Sequence, residues 1–180
     1  MDPVAVVGQP APDLVLQNLD GRAFRLADQR GRIVVLNFWS ADCPHSERAD
    51  EMLAALALDW GDSVGVWWVA SNDNEDEEQV RRTALLRRIE PVLRDEGHLV
   101  ADRYGALTTP HLFVIDERGI LRYVGALDDV SFRQRVATRN YLAEAIGALL
   151  RGQAPDPTST APYGCAIVRR PAAGRPATRP

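Results

Sequence analysis

The amino-acid sequence predicts an α/β protein in which a central mixed β-sheet is flanked by helices. Two continuous apolar runs, at 33–38 and 64–69, are typical of strands that are buried on both faces. A segment with helical character follows each of these runs. Because buried strands of this kind are joined by helices that cross over the sheet, we expect a β-α-β-α-β core.

Shorter elements flank this core at both ends. An Asp20-Gly21 turn between two short apolar stretches predicts an N-terminal β-hairpin. The two core helices are predicted at about 44–60 and 75–89. A second hairpin is predicted from the strand at 111–115 and the strand at 120–125.

The last helix is predicted to begin at Ser131. Ser131 and Gln134 have the spacing of a capping box, an arrangement that satisfies free amides at a helix start. The predicted buried stripe of this helix is Phe132, Val136, Ala143, Ile146 and Leu150.

A change in composition divides the chain into a domain at 1–151 and a C-terminal tail at 152–180. Six of the twelve prolines lie in the tail. Proline removes a backbone donor and restricts φ, so the tail is predicted to be extended, with disorder expected at 171–180. One apolar island, at 163–168, is a candidate for docking on the domain.

Charge and composition exclude several classes of function. The chain has 180 residues and a net charge of −4, which gives no indication of a nucleic-acid partner. All 21 basic residues are arginines, so no Schiff-base lysine is available. The N-terminus does not resemble a signal peptide, and no apolar run is long enough for a bilayer. We therefore expect no membrane partner and a cytoplasmic location, and the oligomeric state stays open.

The acidic run at 73–78 precedes the second core helix. Its spacing is not the EF-hand pattern of a calcium site, and acidic side chains complement the dipole of a helix at its N-terminus. The basic cluster that follows comprises Arg81, Arg82, Arg87 and Arg88, and we expect it to form a solvated helix face rather than a nucleic-acid site.

Cys43 is the main candidate for chemistry. It lies where a buried strand is predicted to end and a helix to begin, and Pro44 suits the first helical position. Amides at a helix N-terminus favour the thiolate, which is the reactive form of cysteine. His45 is expected to add positive charge or to donate a hydrogen bond to the sulfur. A small buried structural cysteine is the alternative.

The segment Thr108-Thr109-Pro110 precedes a strongly apolar strand. A cis bond between Thr109 and Pro110 would expose the Thr109 backbone, which could then pair with an extended peptide or thiol substrate beside Cys43. A trans bond is the commoner state of such a pair, and the residues alone leave both open.

Three segments, at 35–44, 104–110 and 113–121, resemble the thioredoxin superfamily in this order. They are most similar to its redoxin branch, which holds TlpA-like thiol-disulfide oxidoreductases and peroxiredoxins of the AhpC/TSA type. The resemblance covers about 8–151. It implies a thioredoxin fold, no organic cofactor, and a nucleophilic Cys43 faced by a cis-proline. The substrate-binding residues are expected to be Trp39, Pro44, Thr109, Pro110 and His111.

Two departures from the family patterns concern candidate catalytic residues. Ser46 stands where thioredoxins carry the second cysteine of Cys-x-x-Cys, so this loop can form a mixed disulfide but cannot resolve it locally. The peroxiredoxin signature is half present, because Ser40 occupies its hydroxyl position while Leu36 replaces its proline. Disulfide and peroxide therefore both stay open as substrates.

Cys165 is a candidate for the missing resolving thiol. The linker of about 14 residues before it can extend some 45 Å, at roughly 3.3 Å per residue, so it can reach Cys43. The segment 164–167 also resembles the C-terminal Gly-Cys-x-Ile segment of a peroxiredoxin-like subgroup. A structural role, with the apolar island covering part of the domain, is the alternative.

These observations predict a thiol-based oxidoreductase. Its partners would be a thiol reductant, either thioredoxin-like or of low molecular weight, and a disulfide or peroxide substrate. The alternative is a non-catalytic binding module or a copper chaperone that uses Cys43, His45 and His111, since thiolate and imidazole ligands suit copper.

Overall fold

A seven-stranded mixed sheet lies at the centre of the protein in the computed structural model, which describes residues 4–170. Within those residues the strands are ordered β2-β1-β5-β4-β3-β7-β8, and a separate two-stranded sheet pairs β6 with β9. The strands are β1 Val15–Asn18, β2 Ala23–Arg25, β3 Ile33–Trp39, β4 Val64–Ala70, β5 Val92–Arg94, β6 Thr108–Thr109, β7 His111–Ile115, β8 Leu121–Gly125 and β9 Cys165–Ala166. The helices are α1 Pro44–Trp60, α2 Glu77–Arg87, α3 Leu99–Tyr104 and α4 Tyr141–Leu150.

The predicted βαβαβ core is confirmed. Strands β3, β4 and β5 are parallel, whereas β7 pairs with β3 in the antiparallel direction. Every residue of β3 and β4 is buried. Their side chains alternate between two apolar layers, so Trp68 packs on the side of α1, α2 and α4 while Trp67 packs on the side of α3. The sheet is therefore covered on both faces, as a thioredoxin fold requires.

The predicted start of the last helix is wrong. Helix α4 begins at Tyr141, and the Asn140 side chain caps it by accepting a hydrogen bond from the Ala143 amide. The contact between Ser131 Oγ and the Gln134 amide does form, at 3.2 Å, but it closes a turn. Phe132 and Val136, placed in the buried stripe by the sequence, are 78% and 76% exposed.

Backbone hydrogen bonds to Asp129 explain this loop. Its carboxylate accepts from the amides of Thr138 and Arg139, which holds the chain in a non-helical path just before α4. A short polar side chain that binds nearby amides competes with helix formation, and here it prevails over the helical spacing of apolar residues. A second difference concerns helix α3, which the sequence analysis did not predict.

The described part of the tail packs along the domain. Ser159 forms a bridge with Val124 in β8, and the Thr160 hydroxyl accepts a hydrogen bond from the Ala126 amide. The chain then crosses to β6, where it adds β9. The predicted disorder of 171–180 lies outside the described residues. Among the residues that the structure describes, no helix combines the length and the apolar character needed to cross a bilayer.

Candidate active site

Cys43 caps the N-terminus of α1, after a short loop that follows the buried strand β3. Its backbone is extended, with φ −88° and ψ 118°, and Pro44 follows as the first helical residue. The Cys43 carbonyl accepts the first helical hydrogen bond from Glu47. Because the free amides of α1 point toward this end, the position favours a negative charge on the sulfur when Cys43 is reduced.

Cys43 and Cys165 form a disulfide, with their Cα atoms 6.1 Å apart. That separation lies within the usual range for disulfides. Cys43 is 1% exposed beneath the tail, whereas Cys165 is partly exposed. The two cysteines that the sequence singled out are therefore brought together across 122 positions of the chain.

A cis-proline faces this disulfide. The Thr109–Pro110 bond is cis, and the Thr109 carbonyl oxygen lies 3.0 Å from Cys43 Sγ. In the reduced protein, the thiol can donate a hydrogen bond to this oxygen. Strand β6 ends at Thr109, so the backbone of this residue contacts the Cys43 sulfur and also pairs with the backbone of Cys165.

The tail pairs with the backbone beside the cis-proline. In the β6–β9 register Thr109 lies opposite Cys165 and Thr108 lies opposite Ala166. The Ile167 amide extends this ladder by donating to the Leu107 carbonyl at 3.0 Å. The tail thus occupies the place that the sequence assigned to an extended peptide.

Gly164 is fitted to this place by its lack of a side chain. A Cβ on Gly164 would overlap the Thr109 carbonyl oxygen and lie 2.6 Å from the carbonyl carbon. Both are backbone atoms, so they cannot move aside by a change of side-chain rotamer. Glycine before Cys165 is therefore required for the close approach of the tail to the cis peptide.

His45 contacts the tail in this structure. Its ring packs edge-on against Tyr163, with the centroids 4.9 Å apart. Within the described residues no hydrogen bond joins His45 to Cys43, so stabilisation of a thiolate by His45 stays a prediction. Pro44 is exposed beside it.

Ser40 and Ser46 are both buried in the loop that leads to Cys43. Ser46, at the position of the absent second cysteine, accepts a hydrogen bond from the Ser40 amide at 3.3 Å. The Ser40 hydroxyl donates to the Glu75 carboxylate. The Ser40 proton is thus directed to a carboxylate rather than to Cys43.

Glu75 is a site residue that the sequence analysis missed. It is 4% exposed, and the sequence analysis assigned it no role beyond the acidic run that precedes α2. Its Oε1 atom accepts from Ser40, from the Asp42 amide at 3.2 Å and from Asn72 Nδ2 at 3.3 Å. Nothing in the local pattern separates it from its exposed neighbours.

Asp50 and Arg87 form a second buried polar cluster beneath the loop. Asp50 accepts from the indole nitrogens of Trp39 and Trp68, each at 2.8 Å, and from Arg87 at 3.1 Å. Burial nevertheless raises the pKa of the Asp50 carboxyl to about 6. Arg87 also donates to the Ala41 carbonyl at 2.9 Å, which ties α2 to the loop.

This cluster corrects two predictions from the sequence. Arg87 was placed on a solvated face, but its side chain is only 15% exposed. Trp39 was expected to bind substrate, but it is completely buried and its indole nitrogen holds Asp50. Trp39 therefore supports the loop from below and does not line a surface open to substrate.

His111 is likewise buried, at 4% exposure, so its predicted contact with substrate is not supported. Burial lowers the pKa of its imidazole to about 4, and the neutral ring accepts from the Leu107 amide through Nδ1. The ring does not join Cys43 and His45 in a ligand set: across residues 4–170 no group of three or more His, Cys, Asp or Glu side chains is arranged to hold a metal ion.

A strand-end cysteine at a helix start, a facing cis-proline and a covered mixed sheet together define a thioredoxin-fold thiol oxidoreductase. The chain belongs to the AhpC/TSA family, whose model matches residues 7–124. This result confirms the redoxin resemblance that three short segments of the sequence suggested.

Individual relatives agree with this assignment. The chain is 30% identical over 133 residues to the thioredoxin-like protein YneN of Bacillus subtilis, covering 72% of this chain and 78% of that protein. It is 34% identical over 119 residues to the thiol-disulfide oxidoreductase ResA of Geobacillus thermodenitrificans, covering 66% and 68% respectively.

A solved structure extends the likeness into the tail. A hypothetical protein of Sinorhizobium meliloti 1021 superimposes with a TM-score of 0.83 at 31% identity, covering 94% of this chain and 96% of that one. The match to nearly the whole chain means that the similarity is not restricted to the domain at 1–151.

Proposed function

We propose that the protein catalyses thiol–disulfide exchange, with Cys43 as the attacking thiolate and Cys165 as the resolving thiol. The observation that carries this proposal is the pairing of Cys165 with the backbone at Thr109, which puts a second sulfur against Cys43. Ser46 cannot supply that sulfur, so the tail takes the place of the second loop cysteine.

The reaction proceeds in two exchanges. The Cys43 thiolate attacks one sulfur of a substrate disulfide, a Cys43–substrate disulfide forms, and the other substrate sulfur leaves as a thiolate. The Cys165 thiolate then attacks Cys43 Sγ, and the second substrate sulfur leaves. The substrate gains two electrons, and the protein is left with the Cys43–Cys165 disulfide. A thioredoxin-like protein or a low-molecular-weight thiol would reduce this disulfide and complete the cycle.

Peroxide is supported less well than disulfide as the oxidant. In that reaction Cys43 would attack a peroxide oxygen to give a sulfenic acid and an alcohol or water, and Cys165 would condense with it, releasing water. The half-present peroxiredoxin signature supplies Ser40 for such a site, but the Ser40 hydroxyl donates to Glu75. Peroxiredoxins also use an arginine to assist peroxide cleavage, but Arg87, which contacts this loop, donates to Asp50 and to the Ala41 carbonyl.

Intact-mass analysis of three proteins tests the proposal. Reduced wild-type protein, Cys43→Ser and Cys165→Ser are each treated with glutathione disulfide and, separately, with hydrogen peroxide. We expect the wild type to form the internal disulfide, Cys165→Ser to retain one glutathione on Cys43, and Cys43→Ser to react far more slowly. Sulfinic acid on Cys43 and no internal disulfide in the wild type would contradict the resolving role.

Turnover separates an enzyme from a binding module. The wild type is assayed with a small disulfide as substrate and dithiothreitol as reductant, and separately with hydrogen peroxide. Faster consumption of the disulfide than of peroxide supports the proposal, and the reverse order favours a peroxidase. Absence of turnover and of any mixed disulfide would favour a non-catalytic module that uses the same loop to hold a partner.

A further inference from the structure

A buried hydrogen-bonded connection joins the loop that carries Cys43 to the tail that carries Cys165. It consists of Asn72 and Glu75, in the segment between β4 and α2, and we call these two residues the polar bridge. Both are nearly inaccessible, at 6% and 4% exposure. Burial of a polar side chain is costly unless it is hydrogen-bonded, and a buried hydrogen-bonded network orders the segments that it joins.

On the Cys43 side, the bridge acts through Glu75. Its Oε1 atom accepts from the amide of Asp42, the residue directly before Cys43, at 3.2 Å. It also accepts from the Ser40 hydroxyl. Two polar groups of the loop between β3 and α1 are therefore held by one carboxylate oxygen that belongs to a different segment.

On the Cys165 side, the bridge acts through Asn72. Its Oδ1 atom accepts from the Val168 amide at 2.7 Å, and its Nδ2 atom donates to Glu75 at 3.3 Å. The Asp73 amide, next in the chain, donates to the Val168 carbonyl at 3.0 Å. The amide and the carbonyl of Val168, three positions after Cys165, are therefore both hydrogen-bonded to the domain.

Further contacts hold the same end of the tail. The Arg169 guanidinium donates to Asp102 at 2.8 Å and to the Ala106 carbonyl at 2.7 Å. Ile167 is buried in the apolar layer around α3. Strand β9 itself has only two residues, so these downstream contacts supply much of what keeps Cys165 in its register.

We propose that Asn72 and Glu75 are positioning residues that place the two redox cysteines against one another and so set the equilibrium between the dithiol and the Cys43–Cys165 disulfide. This inference rests on the proposed function, because it takes Cys165 as the exchange partner of Cys43. Neither residue exchanges electrons or protons with substrate; each holds a backbone amide of the segment that carries one of the two cysteines.

The first test measures that equilibrium in glutathione redox buffers with the full-length protein. Asn72→Ala removes the acceptor of the Val168 amide and one donor to Glu75. We expect the equilibrium constant for the internal disulfide to fall about three- to tenfold, the range that loss of a hydrogen bond produces. The matched control is Asn74→Ala, an exposed residue of the same loop, which should stay within about twofold of the wild type.

Val168→Pro removes the same hydrogen bond from the tail side. It deletes the amide that donates to Asn72 and leaves every residue of the domain unchanged. The equilibrium constant should fall in the same direction as for Asn72→Ala. This variant keeps the test decisive if Asn72→Ala does not fold, which is checked by thermal unfolding of the reduced proteins.

The second test separates the two ends of the bridge. In a Cys165→Ser background, Glu75→Ala should change the alkylation rate of Cys43, because it frees the Asp42 amide and the Ser40 hydroxyl. Arg169→Gln should leave that rate unchanged, and in the two-cysteine protein it should lower only the disulfide equilibrium. Glu75→Gln, which keeps an acceptor oxygen, should restore most of the wild-type rate.

Two results would overturn the proposal. One is an equal disulfide equilibrium in Asn72→Ala and Asn74→Ala when both are folded. The other is a Cys43 alkylation rate that Glu75→Ala leaves unchanged. Failure of the proposed function has a different signature, since the wild type itself would then form no internal disulfide in any of the glutathione buffers.

Discussion

The two cysteines of this protein lie in segments that are held in place by different kinds of interaction. Cys43 follows a strand in which all seven residues are buried, and it begins a helix of seventeen residues. Cys165 lies in a strand of two residues that is anchored mainly by backbone and side-chain hydrogen bonds. Apolar packing makes the first site part of the core, whereas polar contacts make the second site a docked segment.

This difference suits the two roles that we propose for the cysteines in an exchange reaction. A nucleophile needs a constant electrostatic environment, which the start of α1 supplies. A resolving thiol must first leave room for a substrate and then return. Segments with few buried apolar contacts open at a lower free-energy cost than core strands, so the tail is the segment suited to move.

The strongest test of this difference is a comparison of Cys43→Ser with Cys165→Ser. Cys43→Ser should abolish turnover of a small disulfide in the presence of dithiothreitol, because the attacking sulfur is lost. Cys165→Ser should keep the first exchange and accumulate a mixed disulfide that intact mass detects. Equal loss of the first exchange in both variants would show that the two cysteines do not have distinct roles.

The pH dependence of stability tests the buried carboxyl beneath the Cys43 loop. Burial raises the pKa of Asp50 from 3.8 to about 6, so the folded protein binds a proton more tightly than the unfolded chain. The contribution of Asp50 is therefore fully present below about pH 4 and is lost as the pH rises through 6. A shift of this size corresponds to about 3 kcal/mol of unfolding free energy.

Asp50→Asn is the matched variant for this measurement. Its unfolding free energy is measured by urea titrations at several pH values between 4 and 7. The dependence of this free energy on pH should lack the contribution of Asp50. The wild type should therefore lose about 2 kcal/mol relative to the variant across that range, which spans most of the full effect. Parallel curves for the two proteins would mean that Asp50 does not carry a raised pKa.

Gly164→Ala tests how closely the tail must approach the cis peptide. The added methyl group would overlap the Thr109 carbonyl, so the tail must shift away from Cys43. We expect the equilibrium constant for the internal disulfide to fall about tenfold or more, in line with the cost of overpacking. The unfolding free energy of the reduced protein should stay unchanged, and Ala166→Ser, at an exposed neighbouring position, is the control.

The smallest expected effect concerns the loop before α4, which polar contacts also organise. Phe132→Ala should change the unfolding free energy by less than about 0.5 kcal/mol, since the side chain is 78% exposed. Leu142→Ala, at a completely buried position in α4, should cost about 2–5 kcal/mol. If urea titrations instead showed a large loss of unfolding free energy for Phe132→Ala, the result would support the helix that the sequence predicted from Ser131.

The accuracy of the sequence-based predictions follows the same division. The apolar strands β3 and β4 and helix α1 were placed almost to the residue, because continuous burial and helical spacing are local patterns. The loop at 131–140 was mistaken for helix, because the hydrogen bonds of Asp129 to amides nine and ten positions ahead override the spacing. Arg87 was interpreted as solvated and the role of Glu75 was missed, because both residues have partners in the distant segment at 39–50.

By itself, the sequence determined the α/β class, the family resemblance and the placement of Cys43 at a strand-to-helix junction, since each depends on residues close together in the chain. Only the tertiary structure decided that the tail adds a strand beside the cis-proline, and that Gly164 and the polar bridge fit it there. Those contacts join residues from distant parts of the chain, so they cannot be predicted from the periodicity or spacing of neighbouring residues. The reach of the linker permitted the Cys43–Cys165 disulfide, whereas the docking of 164–169 selected it from the conformations within that reach.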